Sequence, residues 1–304
     1  MKMNKWMYGH LSAFMTIFIW GTTFISTKIL LTSLTPIEIL FIRFLIGYVT
    51  LWLVYPQRIS LKQKQHEYYF LAAGLCGITL YYLFENIALT YTLASHVGVI
   101  ISIAPFFTAI LAYFFSDEKK LNIRFFIGFI IAIIGVCMIS FKGDESLSFN
   151  LTGDFLAIIA AIIWAIYSTL TQKIASFQYN TIQSTRHMFF YGLIFMLPFL
   201  LIMDFHPKIS TLIHPLIISN LLFLGLGASA LCFVTWNLAV KILGPVKTSV
   251  YIYIVPVITA VTSFLILDEA MNQMTIIGII LTLIGLWLSE KRTKENLDNE
   301  LCKL

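Results

Sequence analysis

Hydrophobic positions in this chain do not alternate; they run together. Ten long apolar stretches, at residues 9–29, 36–55, 68–90, 94–115, 124–141, 153–172, 181–203, 215–238, 247–267 and 272–289, are separated by short polar breaks such as 56–67, 116–122, 142–152 and 204–214. A half-buried strand would show a period of two, and a surface helix of a soluble protein would show a polar face. About 20 consecutive apolar residues carry a helix across the hydrocarbon core of a bilayer, where a helix satisfies its own backbone hydrogen bonds. The pattern therefore predicts an all-α membrane protein with ten transmembrane helices. The second and seventh runs are the most interrupted, by Glu38 and Arg43 in one and by Arg186 and His187 in the other. The first run lacks a small-x-small cleavage pattern and is expected to remain as a span.

Composition agrees with lipid as the main solvent. Of the 304 residues, 59% are hydrophobic and only 12% are charged, with a mean hydropathy of +0.87. A soluble domain needs about 25% charged residues to meet water. Basic residues gather at the ends of runs, not along one face, which excludes a nucleic-acid-binding stripe. Cys76, Cys137, Cys232 and Cys302 have no metal-ligand spacing and read as unpaired thiols. No nucleotide-binding loop is present, so ATP hydrolysis is not expected.

Lys and Arg also orient the chain. With the N-terminus in the cytoplasm, fifteen of them lie on that side: Lys2, Lys5, Arg58, Lys62, Lys64, Lys119, Lys120, Arg124, Lys173, Lys241, Lys247, Lys291, Arg292, Lys294 and Lys303. Three, Lys28, Lys142 and Lys208, lie on the other. Both termini are then cytoplasmic, including the polar tail 290–304.

The second half repeats the first. Asn86, Ala88, Pro105 and Asp117-Glu118 precede Asn237, Ala239, Pro256 and Asp268-Glu269 by 151 residues; Gly128 and Gly135 precede Gly278 and Gly285 by 150; Trp20 precedes Trp164 by 144, and Arg43 precedes Arg186 by 143. The units are 9–141 and 153–289. Five spans per unit is an odd number, so the second unit enters the membrane from the opposite side and the repeat is inverted. Inverted repeats of this kind can exchange conformations and expose a central site to each face in turn, which predicts a transporter of a small-molecule solute. The competing readings are a membrane-embedded enzyme and a scaffold that transports nothing. An enzyme would need convergent acid, base, nucleophile or metal groups, and His96, His187 and Glu85 show no such spacing.

These segments resemble the EamA-type members of the drug/metabolite transporter superfamily. The resemblance is carried by IWGTTFISTK (Ile19 to Lys28), by PIEILFIRF (Pro36 to Phe44), and in each half by an alanine-rich junction, a mid-helix proline, an acidic residue (Glu118, Glu269) and spaced glycines. It covers nearly the whole chain as two units. It implies a ten-helix inverted-repeat carrier of the cell membrane that moves metabolites, amino acids or drugs, often outward. Ala165 stands where the first copy has Gly21, so the two copies do not line a site identically.

Candidate substrate-binding residues are Trp20, Arg43, Glu85, Asn86, Trp164, Arg186 and Asn237. A cation inside a span normally faces a cavity or a partner, and Arg holds a carboxylate or phosphate through two parallel hydrogen bonds. Each Arg could equally pair with a helix end or snorkel to a headgroup. Glu85 has Trp236 as its repeat counterpart, so its charge is not part of a duplicated framework. It suits proton coupling, an amine ligand, a partnership with Arg43 or a place near the lipid interface. Asn86 and Asn237 suit interhelical hydrogen bonds at least as well as substrate. Trp20 and Trp164, duplicated at mid-span, suit a cavity wall, with Trp236, Tyr81, Tyr82, Tyr251 and Tyr253 as further aromatic candidates. Pro105 and Pro256 are candidate hinges, since each removes one backbone hydrogen bond. Gly128 with Gly135, and Gly278 with Gly285, put small residues on one helix face for close packing. No metal or cofactor is expected, and proton coupling and solute exchange are both compatible with the pattern.

Overall fold

The computed structural model describes residues 5–91, 94–115, 123–140, 150–267 and 273–290. The pairs Asp117-Glu118 and Asp268-Glu269, and Cys302, lie outside the described residues. Among those described, all regular structure is helical: α1 (Lys5–Leu31), α2 (Pro36–Val54), α3 (His66–Tyr91), α4 (Ala94–Ile101), α5 (Ala104–Phe115), α6 (Ile123–Ser140), α7 (Leu151–Ser176), α8 (Thr181–Ile202), α9 (Ile209–Leu212), α10 (Pro215–Leu243), α11 (Pro245–Val250), α12 (Ile254–Leu267) and α13 (Gln273–Glu290). Six of these, α1, α2, α3, α7, α8 and α10, are long and apolar enough to cross a membrane, and shorter apolar helices accompany them. Large apolar side chains such as Phe14, Phe18, Trp52, Leu53, Phe114, Leu201 and Trp287 are exposed on the outside, a surface suited to acyl chains and not to water.

Local chemistry starts and stops these helices. Thr35 and Glu38 form a capping box at α2: the Glu38 N–H donates to Thr35 Oγ1, and the Thr35 N–H donates to Glu38 Oε2. Pro36 follows at the first helical position, where its missing N–H costs nothing. Asn180 caps α8 by accepting from the N–H groups of Ile182 and Gln183. Gly244, with φ of 84°, ends α10, and Pro245 opens α11.

Two features differ from the pattern of ten unbroken runs. The run 94–115 is split into α4 and α5, and the run 247–267 into α11, a 3-10 turn (Tyr251–Tyr253) and α12. Pro105 and Pro256 cause this: proline has no N–H for the carbonyl four residues back, and it disfavours α geometry in the residue before it. Each proline lies in the first turn of a new helix rather than at a mid-helix kink. The second feature is a π-helical stretch inside α3 (Gly74–Leu80) and another inside α10 (Phe223–Leu231). Their glycines Gly74 and Gly225 are 151 residues apart, the repeat offset of this region. A Cβ on Gly74 would come within 2.6 Å of the Met188 carbonyl on α8, and one on Gly225 within 2.5 Å of Ile46 on α2. Only glycine permits those approaches.

The two halves interlock and share one core. α1 lies against α10 and α12; α7, its repeat counterpart, lies against α3 and the α4–α5 pair. α2 crosses the π segment of α10, and α8 crosses the π segment of α3. α6 and α13 pair with each other at the side. There a Cβ on Gly128 would lie 2.6 Å from the Gly285 carbonyl, and one on Gly135 would lie 2.6 Å from the Gly278 carbonyl.

Candidate functional site

A small cavity lies where the halves meet. Its wall takes Ile17, Trp20, Thr23 and Phe24 from α1, Tyr81, Tyr82 and Glu85 from α3, Ile101 from α4, Trp164 from α7, and Ile252 and Val255 from the 3-10 turn and α12. The repeat relation is visible in the wall. Trp20 and Trp164 meet edge to face with ring centroids 5.2 Å apart. Ile101 and Ile252 stand four residues before Pro105 and Pro256, so they are the residues whose carbonyls lose their α-helical donor to the prolines. The volume is about 30 Å³, room for one or two waters. Drug-sized ligands occupy roughly ten times more or above, so the site is drawn closed by its own side chains.

Aromatic rings do the closing. Trp236 lies 5.2 Å from Trp20 and 5.6 Å from Trp164, Tyr81 lies 4.7 Å from Trp164, and Tyr81 and Tyr82 meet at 4.7 Å. The Trp20 indole donates to the Ala228 carbonyl at 2.9 Å. The Nε1 atoms of Trp164 and Trp236 are buried without an acceptor among the described residues.

Glu85 is the ionisable carboxylate on this wall. It is 6% exposed, and its Oε2 has no hydrogen-bond partner among the described residues. Arg43 is 2% exposed and lies behind the wall. Its Nε donates to Ser229 Oγ at 3.1 Å, and its Cζ sits 4.4 Å from the Tyr82 ring centroid and 5.2 Å from that of Phe44. One guanidinium nitrogen, Nη2, is buried without a partner. No ion pair within 4 Å joins Arg43 and Glu85 among the described residues.

The remaining candidates lie away from the cavity. Arg186 donates to the carbonyls of Tyr55 and Gln57, and Gln183 donates to those of Gln57 and Arg58, which ties α8 to the segment after α2. The opposite end mirrors this: Glu38 accepts from the His206 N–H at 3.0 Å, and Thr35 Oγ1 donates to the Asp204 carbonyl at 3.0 Å, tying α2 to the segment after α8. The arginines are not structural equivalents. Arg43 is eight residues beyond its helix cap Thr35, whereas Arg186 is six beyond Asn180. Two residues turn a helix by about 200°, so one faces the core and the other the exit loop. Asn86 donates to the Pro36 carbonyl at 3.2 Å. Asn237 accepts from the Tyr167 hydroxyl at 3.0 Å and donates to Thr185 at 3.0 Å, joining α7, α8 and α10. The side chain of His96 lies outside the described residues; His187 is held by Glu67 at 3.0 Å.

Sequence reasoning did not single out Thr23, Ile101, Ile252 or Ser229. The isoleucines carried a usable signal, their place four residues before the duplicated prolines. A hydroxyl such as Ser229 carries none until its neighbour is known.

Known proteins agree with this architecture. The sequence pattern of the EamA-like transporter family matches residues 7–141 and again 151–290. An uncharacterized transporter of Archaeoglobus fulgidus is 30% identical over 284 residues, covering 92% of this chain and 96% of that protein. A protein of Streptantibioticus cattleyicolor named a probable terminal-alkyne amino-acid exporter is 26% identical over 224 residues, 72% of each chain. A crystal structure sharing 19% identity superimposes with a TM-score of 0.76 over 92% of this chain and 96% of the other, which speaks to the fold alone. A membrane-spanning helical bundle with a duplicated sequence and a central cavity between its halves is thus a transporter and not an enzyme, and the chain belongs to the EamA-like transporter family.

Proposed function

We propose that the protein is a secondary transporter that moves a small metabolite, amino acid or drug-like solute by alternating access, outward across the cell membrane. In this reading, ten spans form two inverted units, 9–141 and 153–289, and both termini with the tail 290–304 are cytoplasmic. One observation carries it: the cavity wall is shared between the two repeats through duplicated positions, Trp20 with Trp164 and Ile101 with Ile252. A site on the axis of an inverted repeat can open to either face by the same motion run in opposite senses. The ties at the two ends of the α2–α8 pair suit the gates: Thr35 and Glu38 on one face, Gln183 and Arg186 on the other. Trp20, Glu85 and Trp164 are the proposed substrate contacts. Arg43 stands behind them, while Asn86, Asn237 and Arg186 serve the framework. The outward direction draws on the exporter named among the relatives.

Counterflow in proteoliposomes tests the function. Purified protein should accelerate exchange of labelled for unlabelled solute with no imposed gradient, and solute turnover without translocation would refute the reading. Single-cysteine labelling tests the topology, with outside access expected at positions 142 and 208 and protection at 64 and 120. The reverse pattern would remove the inverted repeat.

A further inference from the structure

We propose that the central cavity selects a monocationic amine with an apolar or aromatic body, and that Glu85 is the group that takes the ammonium. The inference rests on the transport reading above for what happens after binding, but not for the binding itself.

Three observations converge. The first is an unpartnered carboxylate oxygen, Glu85 Oε2, on a side chain 6% exposed that belongs to the cavity wall. An ionised acceptor in that position gains strongly from a charged donor, because little water is present to compete. The second is the rest of the wall: two indoles, two phenols, Phe24, Thr23 and aliphatic side chains. Indole and phenol faces attract cations, most strongly when water is excluded, and apolar surface suits an organic body. The third is the asymmetry of the repeat. Where α3 has Glu85, α10 has Trp236, 151 residues on, and Trp236 packs on both Trp20 and Trp164. The carboxylate of the wall thus comes from one repeat alone, while the residue at the related position of the other repeat lies off the wall and backs its two indoles.

Arg43 does not convert the site to an anion or zwitterion binder. It is absent from the wall, and Tyr82, which is on the wall, takes its guanidinium over its ring. No ion pair within 4 Å joins it to Glu85 among the described residues, and it leaves Glu85 Oε2 without a partner. The Trp164 indole N–H, also without an acceptor, offers a hydrogen bond and no countercharge, so nothing on the wall itself presents a positive charge to an anionic ligand. At about 30 Å³ the cavity is smaller than such an amine, and binding requires the aromatic shell to part.

The test is a matched set of ligands on the purified full-length protein in lipid nanodiscs, read by tryptophan fluorescence, with protein-free nanodiscs to subtract partitioning. 2-Phenylethylamine, 2-phenylethanol, phenylacetate and phenylalanine share one ring and differ in charge. The amine should bind at least tenfold more tightly than the alcohol and the acid, and more tightly than the amino acid. Glu85→Gln should bring the amine down to the affinity of the alcohol, while Glu85→Asp should keep an amine preference. Wild-type preference for the alcohol, the acid or the amino acid would overturn the proposal, as would an unchanged amine affinity in a folded Glu85→Gln protein. The wild-type ranking decides the matter even where the Gln variant does not fold. Amine binding without counterflow would sink the transport reading alone, and counterflow of another solute without amine binding would sink this proposal alone.

Discussion

The contact between α6 and α13 provides the most closely bounded prediction, because glycine leaves no room for compromise. A Cβ on Gly135 would lie 2.6 Å from the Gly278 carbonyl oxygen and 2.6 Å from both the amide nitrogen and hydroxyl of Thr282. Ordinary contact begins at 3.4 Å, so Gly135→Ala is short by 3.4 − 2.6 = 0.8 Å. Two of the three obstructing atoms are backbone, so no rotamer change relieves the overlap and the helices must separate. Overpacking of this kind costs about 1–3 kcal/mol, while alanine regains about 1 kcal/mol of helix propensity over glycine. The net is a loss of up to about 2 kcal/mol for Ala by those figures, and more for Gly135→Leu, which drives three further carbons into the same seam. Gly227 is the control. Its Cβ would meet only the Phe223 ring at 3.7 and 3.8 Å, so Gly227→Ala should be neutral or slightly stabilising. Melting in detergent, followed by size-exclusion chromatography after heating, would rank the three. Gly135→Leu melting with the wild type, or Gly227→Ala melting below Gly135→Ala, would refute the reasoning. Since this seam lies off the cavity, a folded Gly135→Ala protein should keep its affinity for substrate.

Other consequences can be checked separately. Arg186→Gln removes two charge-assisted donors from the segment after α2, each worth about 1.5–3 kcal/mol, so trypsin should cut faster at Arg58, Lys62 and Lys64; an unchanged digestion rate would deny the tie. Tyr167→Phe should lower the melting temperature slightly, since an interhelical hydrogen bond in a membrane protein is worth about 0.6–1.7 kcal/mol; Asn237→Leu should cost more, because it strands the Tyr167 hydroxyl, and the opposite order would contradict the network. Pro105→Ala and Pro256→Ala restore an N–H to the carbonyls of Ile101 and Ile252 and should slow counterflow in well-expressed protein. Undiminished exchange would show that the helix breaks are not part of the gating.

Much of this protein follows from local chemistry, and the membrane makes it so. Lipid leaves a spanning segment no partner for its backbone except itself, so an apolar run implies a helix without knowledge of its neighbours. The duplication and the glycine faces of α6 and α13 were readable for the same reason: each acts within one helix or at one spacing. Tertiary structure decided what lies between helices. It sorted the two arginines, alike in sequence, into a core cation on Ser229 and a loop tie, because a two-residue shift relative to the cap turns the side chain to another face. It gave Asn86 and Asn237 protein partners, which no spacing could reveal when hydroxyls and carbonyls are available on every helix. It also put helix breaks at the candidate hinges Pro105 and Pro256, because the chain resumes a helix after proline only where packing holds the second segment, and it placed π turns where glycine backbones cross. Above all, it set Glu85 beside Trp20 and Trp164 on one wall. Residues from α1, α3 and α7 meet there only because the halves interlock, and contact across an interlocked pair is a property of the fold and not of any single segment.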